Sequence, residues 1–100
     1  MGKSQDKRTS EQLQKLLGHN LARRRLELGM SQERVAYLAN LHRSEVSLVE
    51  RGKRMPRGDT LFHLMGALEL DLSQAFEGGT WAPFEGKPGG YLKQDSTPRR

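Results

Sequence analysis

The chain has no cysteine among its 100 residues, which excludes disulfides, thiolate metal sites and thiol nucleophiles. That fits a reducing compartment, and a cytoplasmic location is expected. No apolar run is long enough to span a bilayer and no charged-then-apolar leader opens the sequence, so no membrane partner is expected. Apolar material is scarce: 34% of residues are hydrophobic, 6% are aromatic, and the mean hydropathy is −0.79. The core must therefore be modest, and a helical bundle with local contacts and short loops is the simplest way to close it. One small domain is all this length allows. A bundle of that size leaves little room for a ligand pocket, and nothing sets a nucleophile beside a base. No enzyme activity, cofactor or small-molecule ligand is expected. His19, His42 and His63 fall on three separate helical segments or their ends and share no metal-ligand spacing. Gly78-Gly79 and Gly89-Gly90 do not link a strand to a helix, so neither is a phosphate loop.

What is present is positive charge. The net charge is +5 and the pI about 10.0. A basic balance favours an anionic partner, usually nucleic acid. Lys3, Lys7 and Arg8 outweigh Asp6 at one end, and Lys87, Lys93, Arg99 and Arg100 outweigh Glu85 and Asp95 at the other. The middle is nearly neutral but patterned, with Arg43, Arg51, Lys53, Arg54 and Arg57 crowding one stretch. Such a globule could present one positive face, although charge runs are more often simply solvated.

Residues 1–10 are polar and lack apolar periodicity, which predicts a disordered basic arm. From Ser10 a helix pattern begins, with Leu13, Leu17, Leu21 and Leu28 on one stripe, joined by Leu16, and Gly29 ending it. Ser31 can cap a second helix through about Ala39, with Val35, Ala36 and Ala39 inward. After Asn40, a third short helix covers about Arg43–Arg51, with Val46 and Val49 inward and Gly52 terminating it. Lys53–Gly58 contains Pro56 and reads as a loop. Asp59 or Thr60 opens a fourth helix whose Leu61, Leu64, Met65 and Leu68 form the cleanest amphipathic stripe in the chain. A final turn places Leu72 and Phe76 inward. Beyond Glu77, the glycines and prolines of residues 78–100 rule out a helix. Their three aromatics, Trp81, Phe84 and Tyr91, leave two readings open. One is a flexible tail; the other is a segment docked on the bundle or a strand pairing with another chain.

Two short helices joined by a tight turn, the second polar on its outer face, match the geometry of a helix-turn-helix. The major groove of B-DNA admits one α-helix, so a reading helix must protrude while its other face packs on the helix before it. Ala36 is small enough for a close crossing, Val46 and Val49 hold the third helix down, and Arg43, Ser44, Ser47 and Leu48 are left facing outward.

Across Gly18–Phe76 the chain resembles the Xre-type family of phage-repressor-like helix-turn-helix regulators. The resemblance is carried by Leu21, Arg25, the run Gly29-Met30-Ser31-Gln32-Glu33, Ala36, the run Val46-Ser47-Leu48-Val49-Glu50-Arg51-Gly52, Pro56 and Ala67-Leu68. It implies an all-α, five-helix bundle over 11–77, flanked by the arm and the Gly/Pro-rich tail. It also implies a transcriptional repressor that binds a pseudo-palindromic operator in double-stranded DNA as a homodimer. The alternative is a helix-turn-helix module that binds proteins and has little DNA affinity of its own.

Carried onto this sequence, the resemblance gives Gln32 a phosphate contact and a role bracing the reading helix. Arg43, Ser44, Ser47 and Leu48 take base-facing positions. An arginine can make a bidentate contact to guanine and a leucine can touch a thymine methyl. Lys53, Arg54 and Arg57 should hold backbone phosphates. Arg25, on the inward stripe, needs a partner for its charge, and Glu50 occupies the matching acidic position. Arg23 and Arg24 read as solvated. The sequence departs from the family where Asn40 replaces the turn glycine and where His42 replaces the usual Ser or Thr cap of the third helix. Either that cap is weak or His42 touches DNA itself.

Overall fold

The computed structural model describes residues 3–82 and 90–94. Within them are helices α1 (Lys3–Glu27), α2 (Gln32–Ala39), α3 (Arg43–Glu50), α4 (Gly58–Leu68) and α5 (Leu72–Ala75), then strands β1 (Gly79–Ala82) and β2 (Tyr91–Gln94). Helix α1 begins at Lys3, in place of the disordered arm expected over residues 1–10. Apolar spacing could not reveal this, because the stripe starts only at Leu13. The 15 residues from Lys3 to Leu17 contain neither glycine nor proline and are mostly good helix formers, so propensity carries the helix outward.

The helix ends follow local chemistry. Ser31 Oγ accepts the Arg34 N–H at 3.0 Å and opens α2. Asn40 closes it in the left-handed region at φ 59°, and the Leu41 N–H returns to the Ala36 carbonyl at 2.8 Å. Helix α4 opens one residue earlier than the sequence suggests, at Gly58 with Arg57 in the cap position. Asp59 does not cap it, but accepts the Thr60 N–H at 2.8 Å. Asp71 and Gln74 form a reciprocal capping box around α5.

The core is built from every helix. Leu17 and Leu21 of α1 meet Val35, Ala36 and Ala39 of α2, Val46 and Val49 of α3, Leu64, Met65 and Leu68 of α4, and Ala75 of α5. Each fully buried leucine or valine contributes on the order of 1.5–3 kcal/mol relative to exposure. Leu72 is the exception among the expected inward residues. It is 52% exposed, because α5 makes a single turn and packs through Ala75 instead.

Two contacts that the sequence did not suggest bind α1 to the far end of the chain. Asn20, 3% exposed, donates from Nδ2 to the Ala75 and Glu77 carbonyls, both at 2.9 Å. Arg24, expected to be solvated, donates from Nε to the Leu68 carbonyl at 2.9 Å, satisfying the C-terminal end of α4. Arg23 lies near Glu27 and Glu77, at 3.9 and 3.7 Å.

Of the tail, the described residues include two strands that pair with each other inside the chain. β1 and β2 run antiparallel, in the register Gly79↔Gln94 to Ala82↔Tyr91. The pair lies against α1: a Cβ on Gly79 would come within 2.6 Å of Leu16 Cδ2 and 3.2 Å of Leu92 Cδ1, so a larger residue there would push these leucine side chains aside. Residues 83–89 and 95–100, including Phe84, lie outside the described residues.

Candidate nucleic-acid interface

Helix α3 is two turns long and has two distinct sides. Val46 and Val49 are buried against the bundle, while His42, Arg43 and Ser44 are exposed and Ser47 and Leu48 half-buried. Its position is fixed from below by a hydrogen-bonded cluster centred on Glu50. Arg25 of α1 donates to Glu50 from Nε at 2.7 Å and from Nη2 at 3.1 Å, while its Nη1 donates to the Met30 carbonyl at 2.8 Å. Gln32 of α2 donates from Nε2 to Glu50 Oε1 at 2.9 Å. One carboxylate thus joins three helices. The pair is well shielded, with side-chain exposures of 14% for Arg25 and 7% for Glu50. Gln32 reaches α3 through Glu50, which gives the expected bracing a definite geometry.

Close approach of α1 to α3 also depends on Gly18. A Cβ there would collide with the Val49 and Glu50 carbonyl oxygens. The sequence offered no reason for that glycine, because its demand comes from a helix more than 30 positions away.

The outward side is polar and cationic. Arg43 is 59% exposed and sits 3.6 Å from Glu33. An exposed pair of this kind is worth about 0–1 kcal/mol, so it orients Arg43 without locking it. Ser47 Oγ accepts from Arg51 Nε at 3.2 Å, which adds the Arg51 guanidinium to this side. Arg51 was not among the expected contacts, although its i,i+4 spacing from Ser47 is readable in the sequence. His42 stands in the cap position of α3 with no side-chain cap hydrogen bond, so its imidazole is not committed to the helix end. Lys53, Arg54 and Arg57 are exposed in the segment before α4. Arg54 lies 3.9 Å from Glu45 and Arg57 3.6 Å from Asp59. The Arg54–Glu45 approach brings the loop beside α3. Among the described residues, no cluster of three or more His, Asp or Glu side chains could hold a metal ion. None of the helices described there is long and apolar enough to cross a membrane.

This arrangement is that of a helix-turn-helix domain, and comparison with known proteins agrees. A family model described as helix-turn-helix matches residues 21–74. An uncharacterized HTH-type transcriptional regulator, y4dJ of Sinorhizobium fredii, is 41% identical over 56 residues, 56% of this chain and 73% of that protein. The restriction-modification controller protein C.AhdI from Aeromonas hydrophila superimposes with a TM-score of 0.61 at 35% identity, over 63% of this chain and 96% of its own. The controller protein C.Esp1396I, crystallised as a tetramer in complex with its natural 35 base-pair operator, gives 0.59 at 35% identity, over 65% and 86%. The chain belongs to the Xre-type helix-turn-helix family of transcriptional regulators.

Proposed function

We propose that this protein binds double-stranded DNA sequence-specifically and regulates transcription, acting as a homodimer on a pseudo-palindromic operator. The observation that carries this reading is the two-sidedness of α3. Its buried side is pinned by Val46, Val49 and Glu50, leaving Arg43 and Ser44 free to enter a groove. A dimer would place two such helices in successive major grooves about 34 Å apart. Gln32, Lys53, Arg54 and Arg57 would hold the phosphates on either side, and His42, Arg43, Ser44, Ser47 and Leu48 would face the bases. Occupancy of a promoter would exclude polymerase, which is repression. The operator complex of the similar controller protein supports the DNA partner and self-association. The reading places the protein on chromosomal DNA in the cytoplasm and assigns it no catalytic role.

The test is selection of bound duplexes from a random pool, followed by titration of the recovered site with Arg43→Ala. The substitution should cost about 1–3 kcal/mol at that site and relax base preference at one position in each half. Unchanged affinity would reject α3 as the reading element. Recovery of no duplex at low ionic strength would favour the protein-binding module instead.

A further inference from the structure

Part of α1 lies outside the segment shared with the helix-turn-helix family, and it runs beside the cationic loop. Gly52, the residue that ends α3, sits against this part of α1. A Cβ on Gly52 would come within 2.9 Å of Lys15 Cγ and 3.0 Å of Lys15 Cα. Lys15 is exposed, and the next two residues after Gly52 are the exposed Lys53 and Arg54. The backbone crossing therefore gathers three cations, from two distant parts of the sequence, at the edge of the proposed DNA-facing end. The acidic groups nearby are few: Glu45 lies 3.9 Å from Arg54, and Glu11 stands one turn before Lys15 on α1. Beyond Lys15, α1 continues outward for 12 residues to Lys3, a rise of about 18 Å.

We infer that Lys15 is a DNA-phosphate contact, which widens the footprint along the backbone at each half-site. The inference rests on the DNA-binding reading above and adds a contact surface to it. Backbone phosphates are the fitting partner because cations here are exposed and adjacent, with no apolar groove or hydrogen-bonding pocket required to recognise a particular base. A phosphate contact carries no sequence information, so Lys15 should contribute equally to cognate and non-cognate duplexes.

The experiment measures binding of the full chain to its selected operator and to a scrambled duplex of equal length across a salt series. The parent, Lys15→Gln and Lys53→Gln are compared, with melting curves for each. Lys15→Gln should melt like the parent, weaken both duplexes by the same factor, and lower the salt slope by about 0.9 per protomer. Its penalty should then shrink about threefold to fourfold per protomer between 50 and 200 mM salt. A Lys15→Gln slope equal to the parent's, with Lys53→Gln still reduced, would overturn the inference and leave the DNA-binding reading intact. Absence of duplex binding by the parent would overturn both. A loss confined to the cognate duplex would instead make Lys15 a determinant of specificity, which also contradicts the proposal.

Discussion

Replacing Arg25 by alanine removes three hydrogen bonds at once, two to Glu50 and one to the Met30 carbonyl. Among the described residues, Glu50 then keeps the Gln32 amide alone and remains a shielded carboxylate without a counter-charge. Breaking a fully buried pair from one side costs about 3–5 kcal/mol. The residual exposure of Arg25 lets water reach the cavity, so the expected loss is nearer 2–4 kcal/mol. For a domain of this size each kcal/mol shifts the midpoint by roughly 4–8 °C, so Arg25→Ala should lower the melting temperature by about 8–32 °C. The assay is thermal or urea unfolding of Arg25→Ala, Glu50→Ala and a double variant, Arg25→Met/Glu50→Leu, in which apolar side chains replace both charges. The double variant should be more stable than the sum of the single losses by at least about 1 kcal/mol, because no charge is stranded. Additive losses, or a midpoint for Arg25→Ala within about 3 °C of the parent, would refute the claim that this pair locks α3 in place.

Asn20→Ala removes two hydrogen bonds that join α1 to the Ala75 and Glu77 carbonyls, and should cost about 2–3 kcal/mol in urea unfolding. Glu69→Gly should stabilise the protein by roughly 0.5–1 kcal/mol. Glu69 closes α4 in the left-handed region at φ 55°, and its 3.9 Å approach to Arg24 is too exposed to offset that strain. Gly66→Ala should also stabilise, by about 1 kcal/mol, since the position is inside α4, faces solvent, and a Cβ there meets nothing within 4 Å. Differential scanning calorimetry distinguishes all three.

The parts of the fold that are local were legible in the sequence. The stripe through Leu64, Met65 and Leu68, the Ser31 cap and the left-handed Asn40 follow from residue types a few positions apart. The Arg25–Glu50 pair was legible only because a known family shares it. What the sequence concealed is set by distant neighbours. Arg24 looks solvated until α4 ends beside it, Asn20 looks like any helix-surface amide, and Gly18 has no local purpose. The start of α1 was misjudged for a different reason. Helix propensity without an apolar stripe leaves no periodic signal, so a polar helix and a disordered arm look alike. Within the proposed interface, Arg43 and Ser44 stood out by spacing. Lys15 did not, because it becomes a neighbour of the loop only when α1 crosses at Gly52.

The anchoring of α3 through Val46, Val49 and Glu50 has an evolutionary corollary. The residues that hold the helix and those that would meet a duplex alternate along the same eight positions and share almost no atoms. On the proposed DNA-binding reading, changes at Arg43, Ser44 or Ser47 would rewrite the preferred sequence with little penalty in folding, so paralogues would diverge in target while keeping one scaffold. Conversely, a lineage that lost the carboxylate at position 50 would lose the platform itself, whatever letters remained on its outer surface.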